Sequence, residues 1–387
     1  MSRKAGLAAL ALVTAACTSS GAGAGQGAAA PPSAARPSML TSLSAGQGAA
    51  WAVLEVGGSR AQHNNFWQLL VRPAAGQAWR LATPPGVADN GGLVAAGPGA
   101  TPGLVAGFVP SQDLTFSPLA SSRDAGRHWS PGLLPSGLAA AASALAAGPG
   151  GRLLALTGSG AQLSGPGGTG WRPLVTTRAL AASPAGRSCG LTGLTAVAFG
   201  PAGAPLLAGA CSHPGVTGIF SLSGGQWRLA GLKPPAGFGG RPVTVVQLTT
   251  TAPGKLTAFL AAGAGTAQDL AAAWLGDGQP WATSAPLKLS GRQLVSTAAG
   301  AGGTAGVILT GGRAAVIRPA TGTAAAAWTA LPALPSAASD LVLGPGRQVS
   351  VLTAGRTTVT AWLLSKTGTS WSPGQKLTIP VPFGSSG

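Results

Sequence analysis

The sequence predicts an all-β fold made of repeated four-stranded units. Three observations lead there. First, 45% of the 387 residues are hydrophobic and only 8% are charged, so the chain has apolar mass to bury and lacks the charge typical of disorder. Second, the apolar residues fall in short runs cut by 63 Gly and 32 Pro, which is the punctuation of strands and turns. Third, seven of the 11 Trp recur as a series: Trp79, Trp129, Trp171, Trp227, Trp281, Trp328 and Trp371, at gaps of 50, 42, 56, 54, 47 and 43 residues.

The chain opens with a targeting segment. Arg3 and Lys4 give a positive start, and the apolar stretch "AGLAALALVTAA" that follows is too short to span a bilayer. Cys17 comes next, and "VTAAC" resembles the lipobox of bacterial lipoproteins, with Thr14 where Leu is usual. The resemblance implies a lipoprotein signal peptide over 1–16, cleavage before Cys17 and a lipid on its thiol. An ordinary signal peptide cut near Ala16 is the alternative. The Ala, Gly, Ser and Pro tract over 17–41 reads as a flexible linker, and nothing after it resembles a transmembrane span.

The remaining residues, 42–387, carry the repeat. In six of the seven units a Gly lies three residues before the Trp: Gly76, Gly126, Gly168, Gly224, Gly278 and Gly368, with Ala325 the exception. Each of these strings, such as "SGGQW" and "KTGTSW", reads as a tight turn in which Gly takes positive φ, followed by a strand that opens on Trp as an apolar wedge. The first unit would hold "AAWAVLEV" and "NFWQLLVRP". The fourth divides into "LTAVAFGP", "APLLAGACS", "TGIFSLSGG" and "QWRLAGL", the sixth into "QLVSTAAG", "TAGVILTGG", "RAAVIRPATG" and "AAAAWTALP". "GLAAAASALAAG" (137–148) has helical propensity, but its place in the repeat makes it an inner strand. Four strands at a period of about 49 residues describe a propeller blade, so the expectation is a seven-bladed β-propeller over roughly 42–383. The tail "KLTIPVPF" is a candidate for helping to close the ring.

Within the second unit, "SSRDAGRHW" places Ser122, Asp124, Gly126 and Trp129 as Ser-x-Asp-x-Gly-x-x-Trp. This resembles the Asp-box, the bacterial neuraminidase repeat of sialidases and many other propellers. The full pattern occurs once; the third unit keeps Ser164, Gly168 and Trp171 but has Pro166 in the Asp place, and in the fifth Asp277 is one residue off register. The resemblance implies a structural turn between the two outer strands of a blade, on the face away from an active site. Asp124 would then accept backbone hydrogen bonds in its own turn.

The chemistry is sparse. Sialidases use a Tyr nucleophile, and this chain has no Tyr. The seven carboxylates are Glu55, Asp89, Asp113, Asp124, Asp269, Asp277 and Asp340. Propeller geometry sorts Asp89, Asp113, Asp269 and Asp340 into loops of the face opposite the Asp-box turns. Asp113 in "SQDL" and Asp269 in "AQDL" occupy equivalent loops, which raises the alternative of a glycosidase or lyase using them as acid and base. Three scattered His offer no metal set, and no cofactor-binding motif stands out. With Cys17 lipidated, Cys189 and Cys211 remain; they flank strands of one blade on one face, and export favours a disulfide over two free thiols.

Without Arg3 and Lys4 the chain keeps 22 basic and 7 acidic residues, a net charge near +15. Export and the scatter of those residues argue against nucleic acid. Arg178, Arg187, Lys233 and Arg241 fall in loops around the third to fifth units, a basic patch for an anionic partner. The expectation is a monomeric, lipid-anchored binding or scaffolding module on the extracytoplasmic face of the cell membrane, without catalytic residues, metal or cofactor. Its partner would be an anionic cell-wall polymer, a glycan or an envelope protein. Some Asp-box-like propellers serve as assembly factors for membrane complexes, which the resemblance adds as a further role.

Overall fold

The computed structural model describes residues 41–44, 49–57, 65–84, 93–96, 103–108, 119–130, 138, 140–263, 267–276, 278–300, 303–317, 326–335, 338–344 and 348–380. The signal segment, Cys17, the linker up to residue 40, Asp89, Asp113, Asp277 and the end of the tail at 381–383 lie outside the described residues.

The apolar runs form strands throughout. Successive strands pair antiparallel within the groups 41–81, 93–122, 144–176, 191–229, 243–283, 294–330 and 338–378, and the short Leu287–Lys288 pairs antiparallel with Asp269–Gly276. The predicted divisions of the fourth unit become Leu191–Phe199, Pro205–Cys211, Gly218–Ser223 and Gln226–Leu229. Of the inner stretch expected over 137–148, the described residues form strand only at Ala144–Ala147. The first strand starts at Thr41, one residue into the expected linker, and also pairs in parallel with Leu294–Ala299.

The groups pack in sequence order. The innermost strands Leu93–Ala96, Ala144–Ala147, Leu191–Phe199, Val243–Ala252, Leu294–Ala299 and Ala338–Leu343 each neighbour the next. Ala338–Leu343 then meets Thr41–Ser44 and Ala50–Gly57, which in turn neighbours Leu93–Ala96, so the order returns to its start. Up-and-down sheets stacked in a closed circuit are the arrangement of a β-propeller, which shortens and protects sheet edges by radial repetition.

Each sheet is buried on both faces. In Pro205–Cys211, Leu206 and Ala208 pack toward 243–283, while Leu207 and Cys211 pack toward 144–176. Alternation along a strand therefore feeds two seams rather than a core and a solvent face. This is why the runs read as continuously apolar.

Every hydrophobic cluster among the described residues joins two neighbouring groups, and each contains one Trp of the series. The Trp is more than a wedge. Trp129 Nε1 donates to Ala82 O at 3.0 Å, Trp281 to Ala230 O at 3.1 Å, Trp328 to Ala285 O at 3.0 Å and Trp371 to Pro332 O at 3.4 Å. Each acceptor lies three or four residues beyond the Trp of the preceding group, so the indole spans the seam and ties it with a hydrogen bond to main chain. Trp171 Nε1 has no partner among the described residues, and the equivalent acceptor positions, 132–133, lie outside them. The seam between the last and first groups is tied differently. Gln375 Oε1 accepts the Trp79 N–H at 2.6 Å, and Gln375 Nε2 donates to Trp79 O at 2.7 Å.

The turns carry two repeats. All six glycines that precede a Trp by three residues have positive φ, from 58° at Gly224 to 77° at Gly168. The second repeat closes the hairpin between the first two strands of a group. Gly148 N–H donates to Arg152 O, Gly200 to Ala204 O, Gly300 to Thr304 O and Gly344 to Gln348 O, at 2.7 to 2.8 Å.

Among the described residues, one segment of α-helix departs from the all-β expectation. Residues 177–189 form two short helices, α1 (Thr177–Ala182) and α2 (Pro184–Cys189), in the connection between the 144–176 and 191–229 groups. Local chemistry explains them. Thr176 Oγ1 caps α1 by accepting from Ala179 N, and Ser183 Oγ caps α2 by accepting from Gly186 N, both at 3.1 Å. Pro184 suits the first turn, and Gly190 ends α2 in the left-handed region at φ 62°.

Candidate functional site

Two faces of the circuit can be compared, and they differ in kind. The face with the Asp124 turn is knitted together. Asp124 Oδ1 accepts from the backbone N–H of His128 at 2.9 Å and of Arg127 at 3.1 Å, and from Ser122 Oγ at 2.8 Å. Asp124 Oδ2 lies 2.5 Å from His128 Nδ1. These partners, the His128 N–H first, hold its carboxyl well below the usual carboxylate range. Ser122 Oγ accepts from Gly126 N at 2.7 Å. From the preceding group Arg80 donates to the carbonyls of Gly126, at 3.2 Å, and of Ala125. Ser122, Asp124, Gly126 and Trp129 are thus engaged in closing a turn and docking it on its neighbour. In the 144–176 group, the Arg152 guanidinium lies 5.5 Å from the Phe199 ring centroid and donates to Gly203 O at 3.2 Å.

The opposite face bears the connections between groups and the turns between second and third strands. There the disulfide Cys189–Cys211 ties the end of α2 to the end of Pro205–Cys211. His213 N–H donates to Cys189 O at 3.1 Å, Ser212 N–H donates to Gly190 O at 3.0 Å, and His213 Nδ1 lies 3.1 Å from Ser188 O. Gly186 lets the helices close on each other, since a Cβ there would sit 1.9 Å from Leu180 O. The helix pair is therefore a fixed platform.

Its surface is basic. Between Asp124 and Asp269 the chain has no Asp or Glu at all, and it carries nine Lys and Arg. Arg178 on α1, Arg187 on α2 and Lys233 in the next connection are exposed, and none has an acidic partner among the described residues. Arg187 Nη1 donates to Ala182 O, bracing the helix pair. α2 packs beside Gln226–Leu229, which carries the exposed Arg228.

Two expected ligand-face residues are not free. Arg241 Nη2 pairs with Asp269 Oδ2 at 2.5 Å, while its Nε donates to Phe238 O at 2.8 Å and its Nη1 to Ala267 O at 3.1 Å. The pair pins the connection 230–242 to the start of Asp269–Gly276, so Asp269 opens a strand and its carboxylate is committed to Arg241. Asp113, its expected partner, lies outside the described residues.

Asp340 is a second correction. Expected in a loop, it stands inside the innermost strand Ala338–Leu343 and is fully buried. The apolar run "LVL" that follows it was the available signal, because an Asp abutting such a run shares its strand. Among the described residues no group of three or more His, Cys, Asp or Glu gathers as for a metal, and no helix is long and apolar enough to cross a membrane.

No protein-family model matches the sequence, and no curated protein matches it. Among solved structures, YCF48 from Cyanidioschyzon merolae is similar at 15% identity over 83% of this chain and 94% of its own, with a TM-score of 0.45. A protein from Lactobacillus plantarum is similar at 15% identity over 86% and 97%, with a TM-score of 0.49. A fungal lectin from Aleuria aurantia with a six-bladed β-propeller fold is similar at 12% identity over 91% and 97%, with a TM-score of 0.37. Likenesses this distant say nothing of what the chain binds.

Proposed function

We propose that this chain is a lipid-anchored protein of the extracytoplasmic membrane face, held by Cys17, whose seven-bladed propeller binds an anionic envelope component without catalysis. The exposed Arg178, Arg187 and Lys233, none with an acidic partner among the described residues, carry this reading. A disulfide-fixed platform that presents Arg178 and Arg187, with Lys233 in the adjoining connection, supports it further. Rigid presentation limits the ordering cost of binding, and unpaired cations steer and hold polyanions. The seven-blade count is supported by the succession of strand groups, with one Trp of the series at each seam. The alternative of a glycosidase or lyase requires Asp269 to leave Arg241, and no observation favours that.

The test is binding of the full-length protein in detergent to an anionic wall polymer and to a neutral glycan of equal length. Expected is binding to the polyanion alone, falling as salt rises and at least tenfold weaker in the Arg178→Ala/Arg187→Ala/Lys233→Ala variant. Equal binding by both proteins refutes the site. A Cys17→Ser variant should leave the membrane fraction; if it stays there, the anchor is refuted.

A further inference from the structure

The course of the first strand fixes the face on which the chain enters the ring. Thr41–Ser44 runs parallel to Leu294–Ala299 and antiparallel to Ala50–Gly57. Leu294–Ala299 runs from the connection that precedes it to the hairpin at Gly300 and Thr304. Its parallel neighbour therefore points its N-terminal end at the connection face, where the disulfide-tied helix pair lies. The last strand ends on the same face. Trp371–Thr378 leads away from the Gly368 turn, and Ile379 N–H then donates at 2.8 Å to the carbonyl of Thr357, in the turn between second and third strands.

Cations are spread over this face from the third group to the last. Besides Arg178, Arg187 and Lys233, Lys288 lies in the connection that follows 243–283. Arg313 opens the third strand of 294–330, and Arg356 lies in the turn between second and third strands of 338–378. All six are exposed. Neither ion pair among the described residues involves them: Asp124 pairs with His128 on the other face, and Asp269 with Arg241. The exposed large hydrophobic side chain among the described residues, Leu363, stands near the end of Thr358–Leu364, toward the Asp124 face. The connection face is thus suited to charge contact and not to apolar insertion.

The Asp124 face also exposes cations, Arg123, Arg127 and Lys366, so charge alone does not choose between the faces, but distance does. The eight-residue strand Ala50–Gly57 spans about 25 Å. A charged surface is felt over a Debye length of about 8 Å at physiological salt. With one face on a membrane, the cations of the other lie outside its field. From Cys17 to Thr41 the chain reaches about 80 Å when fully extended, so an anchor at Cys17 holds the ring close to a bilayer and raises its effective concentration there. Because the chain enters on the connection face, that face can settle without the tether first crossing the depth of the ring.

We propose that the connection face seats the ring on anionic lipid headgroups of the membrane that holds Cys17, through Arg178, Arg187, Lys233, Lys288, Arg313 and Arg356. This rests on the lipid-anchor reading above and names the anionic component as headgroup phosphate. Each cation near such a surface adds to the attraction, and with no apolar wedge the seat is released by salt. The Asp124 face is then turned away from the membrane.

The experiment anchors the full-length lipidated protein in vesicles of phosphatidylcholine, with or without phosphatidylglycerol. Acetylation of individual lysines by N-hydroxysuccinimidyl acetate is then followed by mass spectrometry. Expected at low salt is that Lys233 and Lys288 react about threefold more slowly on the anionic vesicles, that Lys366 reacts equally on both, and that high salt removes the difference. Arg313→Ala/Arg356→Ala should narrow the difference, and Arg123→Ala/Arg127→Ala should leave it unchanged. Equal rates on the two vesicles, or slowing of Lys366 as great as that of Lys233 and Lys288, overturns the seat and leaves the anchor and the binding of a wall polymer standing. Protein that stays on neither vesicle overturns the anchor, and the seat with it.

Discussion

Gln375→Ala tests the closure of the ring. Gln375 bonds both main-chain polar groups of Trp79, at 2.6 and 2.7 Å, across the seam between the last and first strand groups. Trp79 is itself 5% exposed, so its freed N–H and C=O would not be rehydrated fully. A net hydrogen bond contributes about 1 kcal/mol, and an unmatched buried group costs about 1–3 kcal/mol. Gln375 is half-buried and admits some water, which sets the expected loss at about 2 kcal/mol, or roughly 3 °C in Tm for a ring of this size. The assay is chemical unfolding followed by Trp fluorescence, with Gln226→Ala as the control. Gln226 is exposed on an outer strand, and its loss should stay within about 0.5 kcal/mol. The m-value should not change, because the substitution alters stability and not the surface exposed on unfolding. If Gln375→Ala costs no more than Gln226→Ala, the seam is not held where we place it.

Two further outcomes follow from the turns. Gly126→Ala and Gly224→Ala both force Ala into positive φ, but only at Gly126 would the Cβ meet neighbours, Ala82 Cβ at 2.8 Å and Trp129 Cζ2 at 3.3 Å. Gly224→Ala should therefore cost about 1 kcal/mol and Gly126→Ala clearly more, as read from unfolding midpoints; equal losses would count against the seam contact. Asp124 has a depressed folded-state pKa, so its contribution is present above the unfolded value near 4 and is lost as pH falls through the folded one. Acid unfolding of Asp124→Asn should lack that component, and superimposable acid limbs would show that the turn does not depend on the carboxylate.

Much of the scaffold was legible because it is written locally. The Gly-x-x-Trp spacing reports a turn whose φ and whose wedge lie within four residues. Cys189 and Cys211 were legible through the strands they flank. What escaped depends on partners far along the chain. The acceptors Ala82, Ala230 and Ala285 are distinguished by position, not by residue type, so nothing in the sequence marks them. Arg241 and Asp269 look like free loop charges until the fold sets them side by side. Asp340 was assigned to a loop by the expected propeller geometry, and only its pairing with Leu352 shows that it stands within the strand. The helices at 177–189 carry local signals in Thr176, in Ser183 before Pro184 and in Gly190, which a reading built on strands and turns passes over. The hairpin repeat at Gly148, Gly200 and Gly344 was likewise readable as Gly-Pro pairs and was hidden by the abundance of both residues.

The indole ties have a consequence for how such a chain can change. One half of each tie is a Trp, while the other half is a peptide carbonyl that every residue supplies. A substitution at the acceptor position leaves the bond intact, so only the donor is under constraint. Neighbouring units can therefore drift apart in sequence, be exchanged or be duplicated without re-matching their contacts, provided each brings its own Trp. Such a joint has one fixed half and one generic half, which lets a ring persist while nearly every other position is rewritten.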